Sequence, residues 1–402
     1  MKRIHSQILM VLCAAYMSQA ICAANIVLEE PTDKPIVLAP TTPLPNLGVT
    51  GYSLINQSSN TQLAALNADE RMPPASLTKL MTLFIAYDYL DKGLIRMEEP
   101  VFISKKAWQT EGSRMFLEPE TEVPVWQLLK GISVVSGNDA SVAIAEHIAG
   151  TEDKFAVLMN QKAEKLGLQN THFMNSTGLP NTHHYSTPYD MSIIGAQLIK
   201  QHPDVLKNTR VKSMKYNNIT QDNRNRLLWK DDTMFGLKTG HTKNAGYCLV
   251  AAAERDSQIM IATVFGAKSE RARDAAVTKL INHAQNRFKN ITIAHDNKLP
   301  AVRVWYGQDS HLSPQLKEPI HLSIPDRQHG KLHTRFQLTQ SLKAPIHTGQ
   351  VIGSYTVYIN DSKIIVKPLI ANRTITTQPI WQQPFEWLQY QIDYLSKHFI
   401  AQ

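Results

Sequence analysis

Apolar positions along this chain follow three kinds of pattern, and each predicts a different kind of structure. Leu77, Leu80, Met81, Phe84 and Ile85 recur every three or four residues between Pro73-Pro74 and Gly93, which predicts a buried helix beginning at Ser76. Trp126, Leu129 and Ile132 repeat this within residues 125–135, and a second helical stretch covers 140–148 before Gly150. Ser136-Gly137-Asn138 then falls in the turn between two helices. Short dense runs at 237–240, 246–253 and 259–265 predict successive strands, with Arg255-Asp256-Ser257 a turn and residues 275–288 a closing helix. From about residue 291 the period changes to two: Val302, Val304 and Tyr306; Ile320, Leu322 and Ile324; Leu332, Thr334, Phe336 and Leu338. Residues 355–359 and 364–366 flank a hairpin turn at Asn360-Asp361-Ser362. After Pro384, Phe385, Leu388, Ile392, Leu395 and Phe399 return to helical spacing and predict a terminal amphipathic helix.

These patterns divide the chain. At 402 residues it exceeds the length at which one core usually stops growing, so two folded units are expected. They are a mixed α/β (α+β) unit over 46–290 and a small β-rich unit over 291–378, followed by the helix over 379–402. Residues 25–45 are rich in proline and read as a linker. Residues 1–24 read as an export signal: Lys2 and Arg3 precede an apolar stretch at 8–16, and small residues follow at Ala20, Ala23 and Ala24. That stretch is far shorter than the roughly 20 residues a membrane span requires. Bulky Ile21 before Cys22 argues against lipidation. Cys13 and Cys22 leave with the signal, so Cys248 has no partner and the mature chain no disulfide.

Hydrophobic residues at 43% and charged residues at 19% are ordinary globular values and exclude global disorder. The formal charge is +8, two units of which are Lys2 and Arg3. The remaining excess suits an anionic wall polymer or membrane face. Nucleic acid is not expected, since the chain lacks an Arg-rich run or interleaved aromatic and basic residues.

Ser76-Leu77-Thr78-Lys79 puts a hydroxyl and an amine one helical turn apart on the same face. A serine hydroxyl needs a base, and a desolvated lysine can be one. Alone this motif is weak, because a buried serine followed by a surface lysine occurs by chance. Ser136-x-Asn138 is weaker, since Ser58-Ser59-Asn60 has the same form and Ser-Gly-Asn is ordinary turn chemistry. Its functional reading passes a proton through Ser136 and holds a substrate backbone group with Asn138. Lys238-Thr239-Gly240 sits on a predicted strand, where Gly240 admits a close backbone approach and Lys238 offers charge to a carboxylate. Finding all three in this order, on helix, helix turn and strand, makes coincidence a poor explanation.

With these motifs the chain resembles the low-molecular-mass penicillin-binding proteins that act as D-alanyl-D-alanine carboxypeptidases. The resemblance rests on Pro74–Thr82, Ser136-Gly137-Asn138-Asp139-Ala140, Gly236–Thr242 with Ala245-Gly246-Tyr247, and Thr171-His172-Phe173, and it runs from about residue 46 to the end. It implies a transpeptidase and serine β-lactamase-like catalytic fold, peptidoglycan stem peptides as substrate, β-lactams as covalent inhibitors, and no cofactor or metal. It further implies Ser76 as nucleophile, Lys79 as base, Ser136 and Asn138 completing the site, and Lys238 and Thr239 on the terminal carboxylate beside Gly240. The oxyanion would meet N–H groups of Ser76 and His241, and Arg273 would assist the carboxylate or cap a helix. Phe235 departs from the aspartate the family carries there. His172, His183 and His184 could suggest zinc, but they lie in a loop with no acidic partner at metal-ligand spacing. A cross-link peptidase or a serine β-lactamase shares the three motifs, although 179–190 offers no glutamate to activate water. An inactive wall-binding relative is a further alternative. Trp381 and Trp387 suit a membrane interface, but with Glu386 and Asp393 against Lys397 the polar face is not basic, so packing of the helix against the β-rich unit or dimerisation stays open. The expected location is periplasmic, at the outer face of the inner membrane.

Overall fold

A computed structural model describes residues 36–37, 44, 46–293, 299–339 and 341–399; the segment expected to be an export signal, 1–24, and most of the expected linker, 25–45, lie outside the described residues. Contacts gather the chain into two units, a larger one of Asp33–Thr292 with Ile320–Gly330 and a smaller one of Ile293–Pro319 with Lys331–Gln402.

The larger unit is built on one sheet. Its strands are β1 (Gly51–Asn56), β2 (Thr61–Leu66), β3 (Met234–Thr242), β4 (Gly246–Arg255) and β5 (Gln258–Ala267), with Ile36–Val37 beside β2. The spatial order is Ile36–Val37, β2, β1, β5, β4, β3, and all pairings among β1 to β5 are antiparallel. β4 is buried on both sides: Leu249, Ala251 and Ala253 belong to one core, Cys248, Val250 and Ala252 to the other. Its alanines let a layer of helix approach closely from each side. On one face packs α6 (Glu270–Arg287) through Val277, Leu280 and Ile281. The opposite core contains α1 (Lys79–Asp91), α2 (Val125–Val134), α3 (Asn138–Ala149), α4 (Glu152–Lys165) and α5 (Pro188–Gln201).

Two details differ from the sequence pattern. Ser76 does not open the α-helix; it lies in a 3-10 turn, Ala75–Thr78, immediately before α1. And α1 buries more than one face: every residue from Lys79 to Tyr87 is buried, because helices surround it. The closing helix starts earlier than its apolar spacing suggests, since Ser269 caps it by accepting the Ala272 N–H at 3.2 Å.

Beyond α6 the chain forms β6 (Phe288–Ile293), which pairs with β7 (Ile320–Pro325) of the same unit. In the smaller unit a four-stranded sheet runs Pro314–Leu316, Ser362–Ala371, Val351–Ile359, Leu332–Leu338. Leu332–Leu338 is its edge, with Thr334, Arg335, Phe336 and Gln337 all exposed. The terminal helix α7 (Gln383–Phe399) leaves Phe385, Trp387, Leu388 and Ile392 exposed, as are Ile380 and Trp381 before it. Side chains from residue 393 onward, Leu395 and Phe399 among them, lie outside the described ones. Among the described residues no helix is long and apolar enough to cross a membrane.

Candidate active site

Ser76 is half-buried, at a turn forced by the preceding Ala75, whose φ is +47°. Three residues on, Lys79 is fully buried and its Nζ donates to Ser76 Oγ at 3.2 Å, Asn138 Oδ1 at 2.7 Å and the Thr177 carbonyl at 2.7 Å. Three acceptors match the three protons of an ammonium. Burial nevertheless pulls this ammonium down from 10.5 to about 7; the field of Arg224 adds to the effect, and Asp139 and Glu152 oppose it. Near neutral pH much of the lysine is therefore a free amine. One of the three contacts must then reverse, and only Ser76 can donate a proton back: an amide oxygen and a carbonyl cannot.

Of the second motif, Ser136 and Gly137 lie between α2 and α3 as the sequence pattern predicts, whereas Asn138 is already the first residue of α3. Ser136 is buried with φ at +63°, and its hydroxyl has no hydrogen-bond partner among the described residues. Asn138 is engaged at both ends of its amide, accepting from Lys79 and donating to the Glu111 carbonyl at 2.5 Å. Here it orients the lysine. Asp139, which sequence reasoning gave no role, accepts the N–H groups of Met115, Phe116 and Leu117 and so pins the loop around residues 111–118 beside the site.

The third motif lies on β3, the outermost strand of the sheet. Lys238 pairs with Val250, Thr239 with Leu249 and Gly240 with Cys248 along its inner edge. Among the described residues no strand pairs with its outer edge, which is free to take an extended ligand. A Cβ at Gly240 would press on the Pro74 carbonyl at 3.1 Å and Leu77 N at 3.2 Å, so glycine lets β3 lie directly against the Ser76 turn. Lys238 is buried, its Nζ donating to the Thr239 carbonyl at 2.9 Å. Desolvation, then the charges of Lys79, Arg224 and Arg273, holds it well below the ordinary lysine value. His241 is exposed, with its ring stacked on Tyr247.

Arg273 lies in the first turn of α6 and is buried. Its guanidinium bonds Asp274 Oδ1 at 2.8 and 3.0 Å and reaches the Arg224 carbonyl at 3.4 Å. The exposed cation whose field reaches both site lysines is instead Arg224, which sequence reasoning missed. The available signal was its turn, Asn223-Arg224-Asn225, whose two asparagines are buried and anchor it. Phe235 fills its position as a buried ring with the Arg210 guanidinium 4.6 Å above it.

Residues 170–186 wrap the other side of the nucleophile turn. Asn175 Oδ1 accepts from the N–H groups of Thr177 and Gly178 and from the Thr177 hydroxyl, and Glu152 accepts from Ser176, which together aim the Thr177 carbonyl at Lys79. Gly178 (φ +84°) passes so close to the Ala75 carbonyl that a Cβ there would collide with it. Among the described residues no group of three or more His, Cys, Asp or Glu could hold a metal.

A serine against a buried, readily deprotonated lysine, beside an open strand edge, is the arrangement of a serine acyl-transferring hydrolase. Residues 40–269 match the family model described as D-alanyl-D-alanine carboxypeptidase, and 288–377 match the C-terminal domain of penicillin-binding protein 5. D-alanyl-D-alanine carboxypeptidase DacC of Escherichia coli is 37% identical over 340 residues, 82% of this chain and 85% of that protein. The structure of penicillin-binding protein 5 from Haemophilus influenzae superposes with a TM-score of 0.77 at 34% identity, covering 83% of this chain and 99% of that one. Penicillin-binding protein D2 of Listeria monocytogenes, solved in its ampicillin-bound form, matches at 28% identity and a TM-score of 0.55, over 60% of this chain and 98% of its own. The chain belongs to the D-alanyl-D-alanine carboxypeptidase family of serine peptidases, within the penicillin-binding proteins.

Proposed function

We propose that this chain removes the terminal D-alanine from peptidoglycan stem peptides through an acyl-enzyme on Ser76. The neutral Lys79 amine takes the Ser76 proton as Oγ attacks the penultimate D-alanine carbonyl carbon. The developing oxyanion meets the N–H groups of Ser76 and His241. When the peptide C–N bond breaks, the proton passes from Lys79 through Ser136 to the leaving nitrogen, and D-alanine departs as the free amino acid. Water then attacks the ester, Lys79 takes its proton, and Ser76 is regenerated. Lys238 and Thr239, with Arg224 at the rim, hold the terminal carboxylate while the peptide lies along the free edge of β3. The observation that carries this reading is the hydrogen bonding of Lys79, the Ser76 contact being the one that can reverse.

D-alanine release from a pentapeptide muropeptide by the wild-type chain and by Ser76→Ala tests it. Release by the first alone is expected; release by neither, with cleavage of cross-linked dimers, would make the chain an endopeptidase. β-Lactams should acylate Ser76 and add their mass to the protein.

We further propose export to the periplasm and attachment of α7 to the outer face of the inner membrane, by Ile380, Trp381, Phe385, Trp387, Leu388 and Ile392, all exposed. Chain truncated before Pro384 should leave the membrane fraction; continued sedimentation with membranes would exclude the anchor.

A further inference from the structure

His184 takes no part in the chemistry above, yet it is 5% exposed and lies against the turn that carries the nucleophile. Its Nδ1 accepts the Met174 N–H at 3.3 Å, so the ring proton is on Nε2, and Nε2–H donates to Thr78 Oγ1 at 2.8 Å. Thr78 is fully buried, ends the 3-10 turn and leads into α1, two residues beyond Ser76. The loop bearing His184 thus grips this turn at three successive places. Gly178 closes on the Ala75 carbonyl, His184 bonds the Thr78 hydroxyl, and Thr177 bonds Lys79. The Phe173 ring meets the imidazole edge to face, 5.7 Å between centroids. The charged or titratable groups facing it are His172 and Lys79. His172 is itself held by the His183 carbonyl, 2.7 Å from Nδ1.

Geometry also fixes the charge state. An imidazolium would point an Nδ1–H at the Met174 N–H, donor against donor, in a buried space beside Lys79. Desolvation, then His172 and Lys79, accordingly pulls His184 down from 6.5 to about 4, and the ring stays neutral wherever Lys79 can act as a base.

We propose that His184 is a positioning residue for the nucleophile, fixing through Thr78 the turn that keeps Ser76 Oγ within reach of Lys79 Nζ. This rests on the Ser76 acyl-enzyme reading.

The test is the acylation of full-length protein by a fluorescent penicillin, with rate and saturation constants resolved, alongside thermal unfolding. His184→Gln keeps a donor at the Nε2 position; His184→Leu keeps the volume and removes it. Thr78→Ser and Thr78→Val probe the same bond from the other partner, should a histidine variant fail to fold. Leu and Val should slow the acylation step about 10- to 100-fold with the saturation constant unchanged, the scale of a small misplacement of reacting groups, while Gln and Ser stay near wild type. Equal rates for Leu and Gln, or wild-type rates for His184→Leu, would reduce His184 to packing and overturn the inference. A wild-type protein that penicillin does not acylate would overturn the Ser76 reading and this inference with it.

Discussion

Lys79 is a base only when it has lost a proton, which makes the enzyme's pH response a property of one residue and its neighbours. Activity should therefore fall as pH drops through about 7, where the buried amine takes up its proton, in the acid limb of kcat/KM for peptide hydrolysis. Because Lys238 feels the charge of Lys79, the measured value belongs to the coupled pair. The field of Arg224 helps hold Lys79 down, so Arg224→Gln should move this limb to higher pH; an unmoved limb would show that the solvent-exposed arginine is screened. Gly178→Ala sets a Cβ against the Ala75 backbone at a φ of +84° and should abolish penicillin acylation even where the protein still folds. Ser76, Lys79 and Lys238 could be read from the sequence as candidates because short spacing along the chain fixes each one's relation to its immediate neighbours. Arg224, Asp139 and Thr177 could not, since only the tertiary fold brings their turns to the site.

Elements were legible where their period was strong and hidden where polar residues carry structural duties. α1 follows the helical spacing but begins a turn late, because Ser76 sits in a tighter 3-10 segment that presents it at the mouth of the helix. Residues 170–186 show no period at all. Their order comes from side-chain to backbone hydrogen bonds, such as the Asn175 turn, which hydrophobic patterning cannot register. The loop ends at Thr187, whose hydroxyl accepts the Asp190 N–H at 3.0 Å and starts α5, while Asp190 in turn accepts from Thr171 at 2.7 Å. Thr187→Ala removes a buried cap and should lower the unfolding free energy by about 1 to 2 kcal/mol in denaturant titration. No change would place the start of α5 under the control of its packing alone.

At the scale of the whole chain, the change from helical to alternating pattern near residue 290 marks where β-structure begins but does not show that residues 320–330 belong to the larger unit. One-dimensional periodicity carries no information about which strands pair. β7 pairs with β6, and its Ser323 hydroxyl is buried against Asn56 Nδ2 at 2.6 Å, Ser59 Oγ at 2.9 Å and Asn290 Oδ1 at 2.6 Å. Ser323→Ala should cost about 1 to 3 kcal/mol by leaving these polar groups short of a partner. A chain ended at residue 290 should melt at a lower temperature than the full one; equal melting would mean that the returning segment adds nothing. The unfinished edge of β3 has a cost of its own. A strand kept open for a ligand is equally open to the same strand of another molecule, the usual beginning of sheet-to-sheet aggregation. Arg224, exposed beside the site, opposes such a match, since two like-charged edges repel. An exposed cation that draws in a carboxylate therefore also protects the colloidal stability of the free enzyme.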